Sequence, residues 1–161
     1  MKVAVIMGSD SDFPILKPAT ELLKDFGIEL DVIVASAHRT PDKVREYVLN
    51  AQKEGIDAFI VAAGAAAHLA GVVASFTVAP VIGVPINATP MNGMDALLST
   101  VQMPSGIPVA TMAVNGAKNA AIFAAEIFAV KDENIRKKLT EYREKMKADV
   151  AKKSERVKAQ L

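Results

Sequence analysis

The chain has 161 residues, 51% of them hydrophobic, with no cysteine, no tryptophan and a formal net charge of +1. This is enough apolar material for one packed core. Without cysteine, disulfides, thiolate metal sites and a cysteine nucleophile are excluded, and a reducing cytoplasm is the expected compartment.

The first predicted element is a strand over residues 3–7, an apolar run that enters Gly8-Ser9-Asp10 with no signal-peptide cleavage pattern behind it. Short, mostly β-branched runs bounded by Gly, Pro or Ser come next at residues 30–34, 59–63, 81–84 and 109–114, and are predicted as strands. Helices are predicted between them near residues 14–26, 41–54, 66–75, 92–100 and 117–128. Ser11 or Asp12 is expected to cap the first, just before Pro14, and Thr40 to cap the second, with Pro41 at its first position.

From residue 58 to residue 117 the only formally charged side chain is Asp95. A membrane span needs about 20 uninterrupted apolar residues, whereas Gly64, Gly71, Pro80, Gly83, Pro85, Pro90, Gly93 and Pro104 break this stretch. No membrane span is expected. The segment is predicted to be buried in its own core and against other subunits.

Charge is divided unevenly along the chain. Residues 1–130 hold 8 Lys and Arg against 12 Asp and Glu, and residues 131–161 hold 11 against 6. The basic tail alternates in sign and has one aromatic residue, Tyr142, so a solvated helix face is expected rather than a nucleic-acid-binding arm. Ile135, Leu139, Tyr142, Met146, Val150, Val157 and Leu161 form its narrow apolar stripe. A helix over 133–161 would run roughly 43 Å, which predicts that it crosses a neighbouring subunit or projects. Residues 1–130 are read as one domain and 131–161 as its helical extension, not a separate domain.

Strand and helix alternating five times imply an α/β fold of three layers, a parallel sheet covered on both faces. The expected order is the flavodoxin-like 2-1-3-4-5 with right-handed crossovers. In such sheets ligands bind beyond the carboxyl ends of the strands. Four polar or glycine-rich segments fall there: Gly8-Ser9-Asp10-Ser11-Asp12, Ser36-Ala37-His38-Arg39-Thr40-Pro41, Gly64-Ala65-Ala66-Ala67-His68-Leu69, and residues 87–92. The first is a natural anion cradle at a helix N-terminus, although it has neither a P-loop ending nor a dinucleotide fingerprint. Ser9, Ser11 and Asp12 equally suit a purely structural role as caps. Both histidines of the chain lie just past strand ends. Arg39 beside His38 offers a fork for phosphate. Metal binding is not expected at either histidine, since there is no third histidine and no thiolate.

Taken in order and spacing, the first two of these segments and Ala66-Ala67-His68-Leu69 of the third, with Pro80-Val81-Ile82-Gly83-Val84-Pro85, Asn92-Gly93-Met94-Asp95-Ala96-Leu97-Leu98-Ser99 and Gln102-Met103-Pro104-Ser105-Gly106-Ile107-Pro108-Val109-Ala110, resemble the class I N5-carboxyaminoimidazole ribonucleotide mutases of the PurE family. The resemblance runs from Val3 to about Phe128. It implies a homo-octamer of flavodoxin-like subunits that acts on a ribonucleotide 5′-phosphate without metal, biotin or nucleotide cofactor. By the same resemblance Ser9, Asp12 and Arg39 bind phosphate and ribose, while Ser36, Ala37, Gly64, Ala66, His68 and Leu69 line the site. His38 transfers the proton. Ala65 and Ala70 depart from the family's usual Gly-Gly-Ala-Ala-His-Leu-Pro-Gly and leave the path of that loop open.

The implied reaction moves a carboxylate from the exocyclic nitrogen to the ring carbon in de novo purine biosynthesis, by decarboxylation and recarboxylation with carbon dioxide enclosed between the steps. Nitrogen must gain a proton and carbon must lose one. A single histidine, which changes charge near neutral pH, suits both transfers. Small apolar walls such as Ala66, Ala67 and Leu69 would hold the carbon dioxide near the ring. The related carboxylases that use free carbon dioxide typically carry lysine and glycine where this chain has Arg39 and Thr40, and lack Ala-Ala-His-Leu. A paralogue acting on another heteroaromatic acid stays open. A phosphoacceptor receiver would need an aspartate where Ala62-Ala63-Gly64 stands, and a flavin carrier would need aromatic residues to stack on the flavin.

Overall fold

Side chains that alternate across each strand set the layers. In the computed structural model, which describes residues 1–160, the strands are β1 (Lys2–Met7), β2 (Glu29–Val34), β3 (Ala58–Gly64), β4 (Val81–Ile86) and β5 (Ala110–Thr111). They form one parallel sheet in the order β2-β1-β3-β4-β5. Val3, Val5 and Met7 face one side and Ala4 and Ile6 the other, and all are buried. Central strands covered on both faces must be apolar throughout. The first face packs against α1 (Phe13–Phe26) and α5 (Ala117–Ala129), and the second against α2 (Pro41–Ala51) and α3 (Leu69–Ala74). The short α4 (Met94–Val101) lies against β4 and β5. This is the expected three-layer flavodoxin-like arrangement.

Differences from the expected elements have local causes. β5 is two residues long where six were expected. Met112 N–H still donates to Gly83 O at 2.8 Å, but the next ladder bond on that side of β4 would come from the N–H that Pro85 lacks. α3 starts at Leu69 rather than 66, because Ala65 takes a left-handed φ of 54° and residues 65–68 close a tight loop. Neither expected cap is made by the side chain named for it. Ser9 instead caps a 3₁₀ turn over Asp10–Asp12 that precedes α1, and Asp12 reaches back to the Ser9 N–H. The Thr40 hydroxyl is engaged upstream: it accepts from Ser36 N–H at 2.9 Å and donates to Ser36 O at 3.1 Å. α1 ends as glycine permits, with Gly27 at φ 81° and Ile28 N–H donating to Leu23 O.

The edge strand β2 leaves Val32 and Val34 over 40% exposed. Lys43 Nζ donates to Val34 O at 2.9 Å and Tyr47 OH to Asp31 Oδ2 at 3.0 Å, which blunts the edge against strand addition.

The terminal α6 (Glu133–Lys158) is docked only at its start. Ile135 and Leu139 are buried, and Tyr142 meets Phe26 edge-on with ring centroids 5.9 Å apart. Farther along, Met146, Val150 and Val157 are exposed, while Leu161 lies outside the described residues. The charges of this helix pair mostly along it, as in Arg136–Glu133 and Lys158–Glu155. Among the described residues no helix is long and apolar enough to cross a membrane.

Candidate active site

In the observed strand order the chain leaves β1 for β2 on one side and returns to β3 on the other. A crevice therefore opens above the carboxyl ends of β1 and β3. A cavity of about 330 Å³ occupies it. Gly8, Ser9, Ser11 and Asp12 line it from beyond β1, Ser36, Ala37, His38 and Arg39 from beyond β2, and Ala63, Gly64, Ala65, Ala66 and Leu69 from β3 and the loop to α3. Of the site residues expected from the sequence, all but Ala67 and His68 line this cavity; Ala67, expected as an apolar wall, is instead buried, 1% exposed. His68 joins the cavity through His38, whose Nε2 lies 2.9 Å from His68 Nδ1 with the ring planes perpendicular.

Gly8, Ser11, Ala63 and Ala65 line the cavity without having been named as site residues, and so does Ala88, which lies in the expected strand-end segment 87–92 but was not singled out. Its signal was Gly64. A Cβ added there would lie 2.6 Å from Ala88 Cβ and 3.2 Å from Ile86 O, so glycine is needed for the close approach of the two loops.

The polar groups are held by backbone and by one another. Arg39 Nη2 donates to Gly8 O at 2.9 Å, and its backbone N–H and Nε donate to Ser36 Oγ at 3.2 and 3.4 Å. These bonds span the β1 and β2 loops and leave Nη1 without a protein partner among the described residues. Ser11 donates from both N–H and OH to Ser9 Oγ. The cavity wall thus combines a guanidinium, three serine hydroxyls and the start of a helix, a donor set suited to an oxyanion.

Asp12 is 5% exposed and accepts the Ser9 N–H at 3.2 Å. Burial pushes its carboxyl above the usual value, against the lowering effects of the Ser9 N–H and Arg39. The raised group favours the folded state below pH 3.8, and that contribution is lost as pH rises through the folded value. Asp12→Asn keeps the acceptor and removes a desolvated charge. At pH 7 its melting temperature is expected to equal or exceed that of the unaltered protein, with the gain vanishing below about pH 4, while substrate affinity falls. Melting curves at pH 4 and pH 7 beside binding titrations check this. A variant less stable at pH 7 with affinity intact would make Asp12 structural.

The histidine contact couples two residues to which the sequence reading gave separate roles. A single proton occupies the line between Nε2 of His38 and Nδ1 of His68, because two N–H groups cannot point at each other. A neutral pair therefore fixes both tautomers together. Among the described residues no third His, Asp or Glu converges with them.

A larger cavity of about 830 Å³ lies between α5 and α6, lined mainly by Met112, Ile122, Phe123, Leu139, Tyr142, Met146 and Val150. It is largely apolar, with Asn119, Glu126, Arg143 and Lys147 also lining it, and it shares no residue with the strand-end cavity. Convergent polar groups distinguish the smaller site.

A family model described as AIR carboxylase matches residues 2–149. The chain belongs to the AIR carboxylase family. Within this family it is 58% identical over 156 residues to the N5-carboxyaminoimidazole ribonucleotide mutase of Methanocaldococcus jannaschii, covering 97% of each chain. Its identity to the protein of the same name from Thermotoga maritima is 53% over 156 residues, covering 97% of this chain and 91% of that one. The crystal structure of Treponema denticola PurE superposes with a TM-score of 0.83 at 32% identity, over 94% of each chain. The AIR carboxylase match covers every strand and the whole strand-end cavity, so the relation extends to the site as well as to the fold.

Proposed function

We propose that this chain converts N5-carboxyaminoimidazole ribonucleotide to 4-carboxy-5-aminoimidazole ribonucleotide in purine biosynthesis. The observation that carries the reading is the convergence, at one small cavity, of an oxyanion-binding wall and a histidine pair, in a chain more than half identical to proteins named for that mutase. Arg39, Ser9 and Ser11 hold the substrate's 5′-phosphate, and Asp12 accepts from the ribose hydroxyls. The aminoimidazole ring faces His38, with Ala37, Gly64, Ala66 and Leu69 as close walls.

The protons balance across the two steps. The bond between the exocyclic nitrogen and the carboxylate breaks, carbon dioxide leaves, and its electron pair remains on nitrogen, which takes a proton from the His38 imidazolium. The ring carbon next adds carbon dioxide, and neutral His38 removes the hydrogen that this carbon carried. His38 ends as it began. Carbon dioxide stays between the ring and the alanine walls, so recapture from solution is avoided. His68, hydrogen-bonded to His38, orients the ring and sets its tautomer.

The deciding experiment supplies N5-carboxyaminoimidazole ribonucleotide without ATP or added bicarbonate and monitors the ring-carboxylated product. Product formed from aminoimidazole ribonucleotide and free carbon dioxide, with no turnover of the N-carboxylated compound, would assign the chain to carboxylase chemistry instead.

The proposal extends to assembly as a homo-octamer and to a place in the cytoplasm. Much of residues 58–117 is consumed by the subunit's own core, but Met94, Leu98 and Val101 share one face of α4 by helical spacing and are 45–52% exposed, with Met91 beside them. Another subunit would cover them. Sedimentation is expected to give eight copies, and removing residues 149–161 to weaken assembly or heat stability more than chemistry. A folded monomer at micromolar concentration would end this part of the proposal.

A further inference from the structure

The segment after β4 is a wall of the active-site cavity that its own backbone does little to hold. Ala88 lines the cavity and stands so near Gly64 that no side chain fits between them. Among the described residues Ala88 makes no hydrogen bond, and Asn87 makes one, from its N–H to Asn115 Oδ1 at 2.9 Å. Asn115 N–H in turn donates to Pro85 O at 2.8 Å. In a parallel ladder a residue donates its N–H to one partner carbonyl and accepts, through its own carbonyl, the N–H two residues farther on. Asn115 makes both bonds, to residues 85 and 87, but with its amide oxygen in place of its carbonyl. The reason is its left-handed φ of 58°, which asparagine tolerates, and its carbonyl is left to accept Ala117 N–H at 2.9 Å. The side chain thus adds one rung to the β4 ladder beyond the end of β5, at the position next to Ala88. The two loops also meet by packing, since a Cβ at Gly93 would lie 2.5 Å from Val114 Cγ1.

We infer that Asn115 is a positioning residue: its amide oxygen, by holding Asn87, keeps Ala88 closed on Gly64 and so completes the β4 side of the cavity that encloses carbon dioxide between the two steps. The inference rests on the proposed mutase reaction. Without that rung Asn87 and Ala88 lose their one hydrogen bond, and the next anchor is the Thr89 hydroxyl, which donates to Asp95 Oδ2 at 2.7 Å. A gap then opens beside Gly64, while Arg39, Ser9 and Ser11 are untouched. Carbon dioxide escapes through it once the carbon–nitrogen bond has broken. His38 protonates the nitrogen as before, and the aminoimidazole ribonucleotide either leaves or takes up carbon dioxide from solution.

The test supplies unlabelled N5-carboxyaminoimidazole ribonucleotide in buffer that contains isotopically labelled carbon dioxide. It reads label in the ring-carboxylated product, corrected for enzyme-free breakdown. The unaltered protein is expected to give little labelled product, since enclosed carbon dioxide outcompetes the dissolved gas. Asn115→Gly keeps the positive φ and lacks the acceptor, and Asn115→Ala lacks the acceptor without adding backbone freedom. Both are expected to raise the labelled fraction about fivefold or more and to release aminoimidazole ribonucleotide, with KM within about twofold. Asn115→Asp tolerates the same φ and keeps an oxygen acceptor, so its labelled fraction should stay near that of the unaltered protein. Losing one exposed hydrogen bond is expected to lower the melting temperature of Asn115→Gly by no more than about 4 °C. A labelled fraction unchanged in Asn115→Gly and Asn115→Ala, a rise confined to Asn115→Gly, or an equal rise in Asn115→Asp would overturn the inference. So would a melting temperature lowered by many degrees in Asn115→Gly, which would make the amide part of the fold. No turnover by the unaltered protein, or full exchange of label in it, would instead remove the reaction on which the inference rests.

Discussion

Replacing His38 by asparagine is expected to lower kcat by about 10²–10⁴-fold, the usual contribution of a positioned acid and base, with substrate affinity nearly unchanged. His38 lies on the exposed loop beyond β2, and its Nε2 contacts only His68 within the protein, so the fold does not depend on it. Asparagine approximates its size and polarity and carries no proton between donor and acceptor at neutral pH. His68→Asn is expected to reduce kcat less, about 10-fold, because the proton still resides on His38 while its orientation is loosened. The 2.9 Å contact shifts this second expectation. From sequence alone His68 belongs to the pocket wall and its loss perturbs binding, whereas a ring bonded to the proton carrier also affects turnover. Single-turnover and steady-state kinetics with ligand titrations separate the cases. Near-normal kcat in His38→Asn, or a far deeper loss in His68→Asn with binding intact, would make His68 the acid and base.

The second large effect concerns Arg39. Arg39→Ala is expected to raise the apparent KM roughly 10- to 100-fold, the equivalent of about 1.5–3 kcal/mol for a lost charge-assisted contact. Residues 1–130 are net acidic, so an anion is drawn to this site by local donors rather than by a general field. The guanidinium also ties the β1 and β2 loops through Gly8 O and Ser36 Oγ. Arg39→Lys keeps the charge but cannot form both ties, and is expected to recover only part of the affinity. Inorganic phosphate as a competitive inhibitor provides the control: its inhibition constant should rise in parallel with KM. An unchanged KM in Arg39→Ala would assign the residue to loop structure alone.

Much of the layer order and part of the site were legible in the sequence because their causes are local or periodic. Val3 to Met7 are apolar at every position, which is diagnostic of a strand covered on both faces. That run and four others, of which residues 30–34 contain Asp31 and residues 109–114 Thr111, are separated by helical patterns, which leaves few arrangements besides a parallel sheet. The strand-end segments, with Arg39 as an anion fork, were identifiable because in that topology strand ends are where ligands bind, whereas Ser9, Asp12, Ser36 and Gly64 were picked out within them by family resemblance. The octamer, the phosphate and the proton carrier were named by family resemblance and not by physics.

The tertiary structure alone decided matters that depend on who meets whom across the chain. β5 is two residues long because the N–H that would continue its ladder belongs to Pro85, whose carbonyl takes Asn115 N–H instead, a fact invisible until the register shows which β4 groups face β5. The Thr40 hydroxyl turned from capping α2 to closing the Ser36 loop, since a hydroxyl with two candidate partners takes the nearer geometry. Ala88 entered the cavity wall through the close approach that Gly64 permits. The pairing of His38 with His68 spans 30 residues and brings together two separate loops. Composition and spacing report which side chains stand near strand ends, but the direction of a ring nitrogen is set by backbone dihedrals and packing of two separate loops.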